Sequence, residues 1–189
     1  MKRVGLLLVW TVVTFAATAR AEELSPTQQS LLFLRVLAYD RNLKTRANGT
    51  VTVAVLYRAG KPESEQARKG VVTALEEIAK KVAVAGLPVR VASIEFANPA
   101  ATSVRLQELH ASAAYVCSGL GDATADLMAL MRKHSILSGT AMESSVRSGL
   151  AVGLLAREGK PGLLINLPAA RAEGADFDAA LLRLAEVIK

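Results

Sequence analysis

The chain has 189 residues, 51% of them apolar, one cysteine and a formal net charge of +6. A single cysteine excludes an intrachain disulfide, so the fold has to be held by its core. Aromatic residues make up 4% of the chain, and Lys and Arg are spread along it, which excludes the basic strip interleaved with stacking residues that binds nucleic acid.

Three of the positive charges, Lys2, Arg3 and Arg20, flank the apolar run Val4–Ala19. That run is short of the ~20 residues a membrane span needs. Ala19-Arg20-Ala21 follows as a small-x-small site, so residues 1–21 read as a cleavable signal peptide for export out of the cytoplasm. Cleavage leaves residues 22–189 as one domain, expected outside the cytoplasm.

Ser25-Pro26-Thr27-Gln28 starts a helix: Ser25 caps it, Pro26 suits the first turn and Gln28 completes a capping box. The helix is expected to run to about Asp40, and its body, Leu31 to Tyr39, is apolar nearly all round, as in a buried helix. Arg41–Thr50 reads as a polar connector with a turn at Asn48-Gly49. Val51–Tyr57, rich in β-branched residues, is a first strand. A helix is expected over 62–82, with Val71, Val72, Leu75, Ile78, Ala79 and Val82 as its packing face. Gly86-Leu87-Pro88 turns the chain into a second strand, Val89–Phe96.

Asn98-Pro99 opens a helix to about His110. Ala113–Cys117 is a short apolar strand, and Asp122–Lys133 returns to helical periodicity, its Met128 and Met131 filling core. Ser135–Ser138 is another strand, and Met142–Ser148 a short helix or irregular loop. Leu150–Leu155 and Gly162–Leu167 are two strands joined at Arg157–Pro161 as a hairpin. A final helix is expected from Asp176 or Asp178 to the end, with Phe177, Leu181, Leu184 and Ile188 on one face. The whole pattern predicts an α/β fold in three layers, a mostly parallel sheet covered on both faces with an antiparallel C-terminal hairpin.

Catalytic machinery is hard to assemble from these residues. His110 and His134 are isolated in sequence, no metal-ligand spacing is present, and neither Ser118 nor Ser138 has a nearby His and acid. No enzyme activity, metal or cofactor is expected. The candidate binding residues are those following strands, because ligands gather outside strand C-termini in open α/β sheets: Tyr57, Arg58, Ser118, Gly119, Gly121, Thr140, Glu143 and Ser144. Arg58 can attract an acidic group, and Thr140 and Ser144 offer hydroxyls. The backbone around Gly119 and Gly121 either cradles an anion or makes a tight turn into the next helix.

Ile136-Leu137, Gly149–Leu155, the run Leu164-Ile165-Asn166-Leu167-Pro168-Ala169-Ala170-Arg171 and the terminal Leu181-Leu182-Arg183-Leu184-Ala185 together resemble the YfiR-like family of periplasmic proteins. The buried first helix before the Val51 strand also fits, so the resemblance spans about Ser25–Lys189. It implies a regulatory protein that binds the periplasmic region of an inner-membrane signalling protein, repressing a cyclic-di-GMP synthase and so restraining biofilm formation. It also implies that Asn166 and Arg171 serve the family's architecture. Asp40-Arg41-Asn42-Leu43 stands where many relatives carry an aromatic-Trp-Pro segment, and one cysteine cannot form the disulfides of some relatives. A small-ligand-binding module, alone or as a homodimer, is the alternative reading.

Overall fold

The structure is a computed structural model that describes residues 23–189. The expected signal peptide, residues 1–21, lies outside the described residues. The elements are α1 (Pro26–Ala38), α2 (Leu43–Ala47), β1 (Val51–Tyr57), α3 (Pro62–Ala79), β2 (Val89–Glu95), α4 (Pro99–Glu108), β3 (Ala113–Val116), α5 (Thr124–His134), β4 (Leu137–Thr140), α6 (Glu143–Arg147), β5 (Val152–Arg157), β6 (Lys160–Asn166), α7 (Leu167–Ala172), α8 (Ala179–Arg183) and β7 (Glu186–Ile188).

The seven strands form one sheet in the order β2-β1-β3-β4-β5-β6-β7. The first five run parallel, β6 returns antiparallel to β5, and β7 runs parallel to β6. The hairpin between β5 and β6 turns at Glu158 and Gly159, both at positive φ, as a two-residue connection between right-twisted strands requires.

Alternation along the central strands sorts two cores. Val51, Val53, Val55, Tyr115 and Leu137 face α1 and α3, packing with Phe33, Leu37, Val71 and Leu75. Ala54, Leu56, Ala114 and Val116 face α4 and α5, packing with Leu106, Leu127 and Met131. Both faces of the parallel strands are therefore apolar, which is why they read as continuous hydrophobic runs.

α1 carries the capping box expected of Ser25 and Gln28. Its inner side is buried, while Leu31 is half exposed. Phe33 lies on Gly139 of β4, where a β-carbon would sit 2.7 Å from Cδ2 of the ring, and meets Tyr115 edge-on at 6.1 Å between centroids. The Tyr115 hydroxyl donates to Gln29, whose amide donates to the Leu24 carbonyl at 2.6 Å. Two polar side chains are thereby satisfied inside the core.

Three expectations are corrected. The connector 41–50 contains α2, whose Leu43 and Ala47 are buried. A further helix, α7, follows β6, entered through Asn166 and Pro168 at its first turn. The final helix is only α8, five residues long, capped by Asp178; the chain then extends into β7 along the open edge of β6, and Leu184 is left 72% exposed. The backbone hydrogen bonds that β6 still lacked outweigh a helical repeat that would have been short and marginal.

Candidate functional site

The strand order reverses between β1 and β3, so the loops after these strands diverge to opposite faces and leave the crevice where α/β proteins gather ligands. The structure brings Tyr57, Arg58, Ser118, Gly119 and Gly121 to this edge. Their own side chains bridge it. Arg58 pairs with Asp122 at 2.8 Å, Lys61 Nζ donates to the Gly119 carbonyl at 3.2 Å, and Ser118 Oγ donates to the Glu63 carbonyl at 3.1 Å. Gly119, at positive φ, lies against Ser64 and Glu63, where a β-carbon would sit 3.1 and 3.2 Å from their side chains. Tyr57 is covered by the Arg68 guanidinium, 4.8 Å above its ring. Gly121 begins the short 3-10 turn Gly121–Ala123, and its carbonyl accepts from Thr124 Oγ1.

Thr140, Glu143 and Ser144 do not join that cluster. Thr140 is fully buried in β4; its hydroxyl donates to the Val116 carbonyl and accepts from the Met142 amide. Glu143 is held between Arg147 and Arg157, which also grip Glu186. Those two guanidinium partners pull the Glu143 carboxyl down to about 2. Ser144 is exposed on α6. Asn166 serves architecture: its side chain caps α7 through the Ala169 amide and donates to the Val146 carbonyl at 2.9 Å.

Cys117 is buried, and burial pushes its thiol up to about 12, the opposite of what a nucleophile needs. Ser138 hydrogen-bonds Glu173 rather than a histidine. Ser103 does reach His134 Nε2 at 2.7 Å, but it is buried on α4. Among the described residues no cluster of His, Cys, Asp and Glu can hold a metal.

The opposite edge of the sheet holds what sequence reasoning missed. Residues 39–41 at the end of α1 are strapped to 176–178: an isolated bridge joins Asp40 to Phe177, Arg41 N donates to the Asp176 carbonyl at 2.9 Å, and Asp178 N to that of Tyr39 at 3.0 Å. Beside this strap lies a cavity of about 270 Å³ lined by Arg41, Leu167, Arg171, Ala175, Asp176, Phe177, Asp178, Ala179 and Leu182. Arg41 and Asp176 form a two-bonded ion pair on its rim, both bonds 2.9 Å long, with side chains 60% and 52% exposed. Arg171, expected to be architectural, is exposed on the last turn of α7 and lines this cavity. Its place in the wall of this cavity depends on α7, which no local pattern announced.

Behind the strap is a buried ion pair. Asp40 binds Arg46 of α2 and also accepts from the amides of Asn42 and Asp176. Arg46 NH1 donates to the carbonyls of Ser112 and Ser135, at 2.7 and 3.0 Å, locking α2 to the starts of β3 and β4.

Comparison with known proteins places this architecture. No curated protein matches the chain. Among solved structures it is similar to the ABC domain in complex with L-Trp from Streptococcus pneumonia (TM-score 0.61, 14% identity, 87% of this chain and 60% of that one). It is similar to a conserved domain protein from Vibrio cholerae O1 biovar El Tor (0.60, 16%, 88% and 61%). The ligand-free, open CD0873, a substrate binding protein with adhesive properties from Clostridium difficile, matches at 0.56 and 14% over 78% of this chain and 57% of that one. At these identities the likeness is one of fold, and the chain spans about three-fifths of the length of these structures. The profile of the YfiR/HmsC-like family matches residues 43–186, which contain strands β1 to β6 and the Asn166–Arg171 run. The chain belongs to the YfiR/HmsC-like family and, with it, to the periplasm.

Proposed function

We propose that the protein binds a small zwitterionic ligand of the amino-acid kind in the Arg41–Arg171–Asp176 cavity, and that it does so as a sensor rather than as a catalyst. The observation that carries this reading is the charge arrangement. Two guanidiniums and two carboxylates stand around an apolar floor of Leu167, Phe177 and Leu182. A ligand carboxylate would take the Arg41 and Arg171 forks, and its ammonium group the Asp176 side, while the ligand's apolar part rests on the floor. The Arg41–Asp176 pair is solvent-exposed, so opening it for a ligand costs little. That a structure of like fold holds L-Trp agrees with this ligand class.

Calorimetry of the purified protein against amino acids and other small envelope metabolites tests the reading. At least one zwitterion should bind, and Arg171→Ala, a change at an exposed side chain, should weaken it about tenfold. A panel without a single binder would end the proposal.

Family membership favours a second reading that is compatible with the first: the protein docks on the periplasmic region of an inner-membrane signalling protein, repressing a diguanylate cyclase. The bridged edge around Arg58, Ser118, Gly119 and Gly121 is the surface we assign to that contact. A ligand that binds one docked conformation better would shift the partner between states. Cross-linking in intact cells, with capture of the partner, tests it; Arg58→Glu should abolish the cross-link.

A further inference from the structure

We propose that a second cavity, on the α4–α5 side of the sheet, is a binding site for a small oxyanion of the carboxylate or phosphate type. This cavity of about 360 Å³ is lined by Arg46, Asn48, Gln107, His110 and His134, over a floor of Leu106, Ala111 and Ile136. Two histidines that lie far apart in sequence thus share one wall with a guanidinium. No carboxylate lines it. Every polar side chain in the wall is a hydrogen-bond donor, an amide, or an imidazole able to donate.

Arg46 is the anchor. Its side chain is 9% exposed, three of its bonds fix it to Asp40, Ser112 and Ser135, and its Nε has no partner. The guanidinium is therefore held in place at the cavity wall before any ligand arrives, and its charge is the kind that attracts a carboxylate or phosphate. His134 uses Nε2 on Ser103 and keeps Nδ1. His110 sits at positive φ just past the end of α4.

The ends of α4 and α5 meet here, and helix C-termini ordinarily repel anions. In this protein those carbonyls are already engaged: Leu106 and Gln107 accept from Ala111 and His110, and Met131 and Arg132 from Ile136 and Ser135. The neighbouring acids are engaged as well, Glu108 by Arg105 and Asp40 by Arg46. Lys133 adds a cation next to His134. No carboxylate faces the cavity, and the neighbouring acceptors that would oppose an anion are occupied.

The test follows the imidazole resonances of His110 and His134 while inorganic phosphate, and separately succinate, is titrated into the purified protein at constant ionic strength. Saturable shifts of both rings are expected with at least one of the two probes, and whichever saturates at lower concentration names the class. Gln107→Glu puts a carboxylate into the wall from an exposed helical position and should weaken binding roughly tenfold, because like charges brought together there repel. His110→Asn, which keeps the positive φ that asparagine tolerates, should weaken it also. Arg171→Ala should leave the titration unchanged, so that this site and the zwitterion cavity stand or fall separately. Shifts that never saturate, shifts that chloride reproduces, or a Gln107→Glu protein that titrates as the wild type would overturn the proposal.

Discussion

Glu173 is the residue at which chemistry and folding are most tightly joined. It is fully buried at the end of α7, and its carboxyl accepts from the Ser138 amide at 2.7 Å and from the Ser138 hydroxyl. That hydroxyl in turn accepts from the Ala151 amide at 2.8 Å, so one side chain ties α7 to β4 and to the entry of β5. Burial pushes the Glu173 carboxyl up to about 8, against the opposing pull of the Ser138 bonds and of Arg132 and Arg46. With the folded value above the unfolded one, the folded state holds its proton longer. The stabilisation is complete below about pH 4.5 and is lost as pH rises through about 8. Glu173→Gln mimics the protonated acid and should flatten this slope. In thermal melts from pH 5 to 9 it should be no more stable than wild type at the acid end. At the alkaline end it should be more stable by on the order of 2 kcal/mol. Parallel curves would show that Glu173 does not titrate in this range. A second residue-scale prediction concerns Gly139. Adding a methyl group there pushes into the Phe33 ring, so Gly139→Ala should destabilise by about 1–3 kcal/mol, read from denaturant midpoints.

Elements were legible where their signals are local. Ser25, Pro26 and Gln28 announce the start of α1 and form its capping box as expected; Ser25→Ala should lower stability by about 1 kcal/mol in urea denaturation at unchanged m-value. Asn48, which the sequence marks as a turn, adopts the left-handed conformation that ends α2. Val51–Tyr57 is a strand over the residues expected, because its β-branched run has one good conformation. What local pattern could not supply is competition from distant chain. Leu184 to Ile188 continues a helical repeat, yet β6 offers an unfilled edge three residues long, and the strand wins. The same limit explains the candidate sites. The strand-end rule picked out Tyr57, Arg58, Ser118 and Gly119, which the structure brings to one edge, but it could not show that Lys61, Glu63 and Asp122 bridge that edge. Arg41 and Asp176 are separated by 135 positions, and only the strap between α1 and the segment before α8 makes them a pair. His110 and His134 looked isolated for the same reason, since their common cavity is created by the packing of α4 on α5.

At the scale of the molecule, the two cavities lie at the same edge of the sheet on opposite faces, and Arg46 touches the logic of both. It lines the oxyanion cavity directly and reaches the zwitterion cavity through Asp40, whose other oxygen accepts from the Asp176 amide. The zwitterion cavity is a recess in a layered α/β fold that spans about three-fifths of the solved structures it resembles. A small ligand is bound tightly when a site covers some 70–90% of its surface. A recess of 270 Å³ with an exposed ion pair on its rim leaves one side of an amino acid in water. The isolated chain should therefore bind its zwitterion with a Kd no tighter than about 10 μM, which is about −7 kcal/mol. If a second copy of the chain or a docked partner covers the open side, affinity should rise only when that cover is present. Calorimetry over a range of protein concentrations, with sedimentation of the same samples, separates these cases. Weak, concentration-independent binding by a monomer is expected. Submicromolar binding by a monomer would mean that the recess closes over its ligand, and the open geometry described for the Arg41–Asp176 rim would then be wrong.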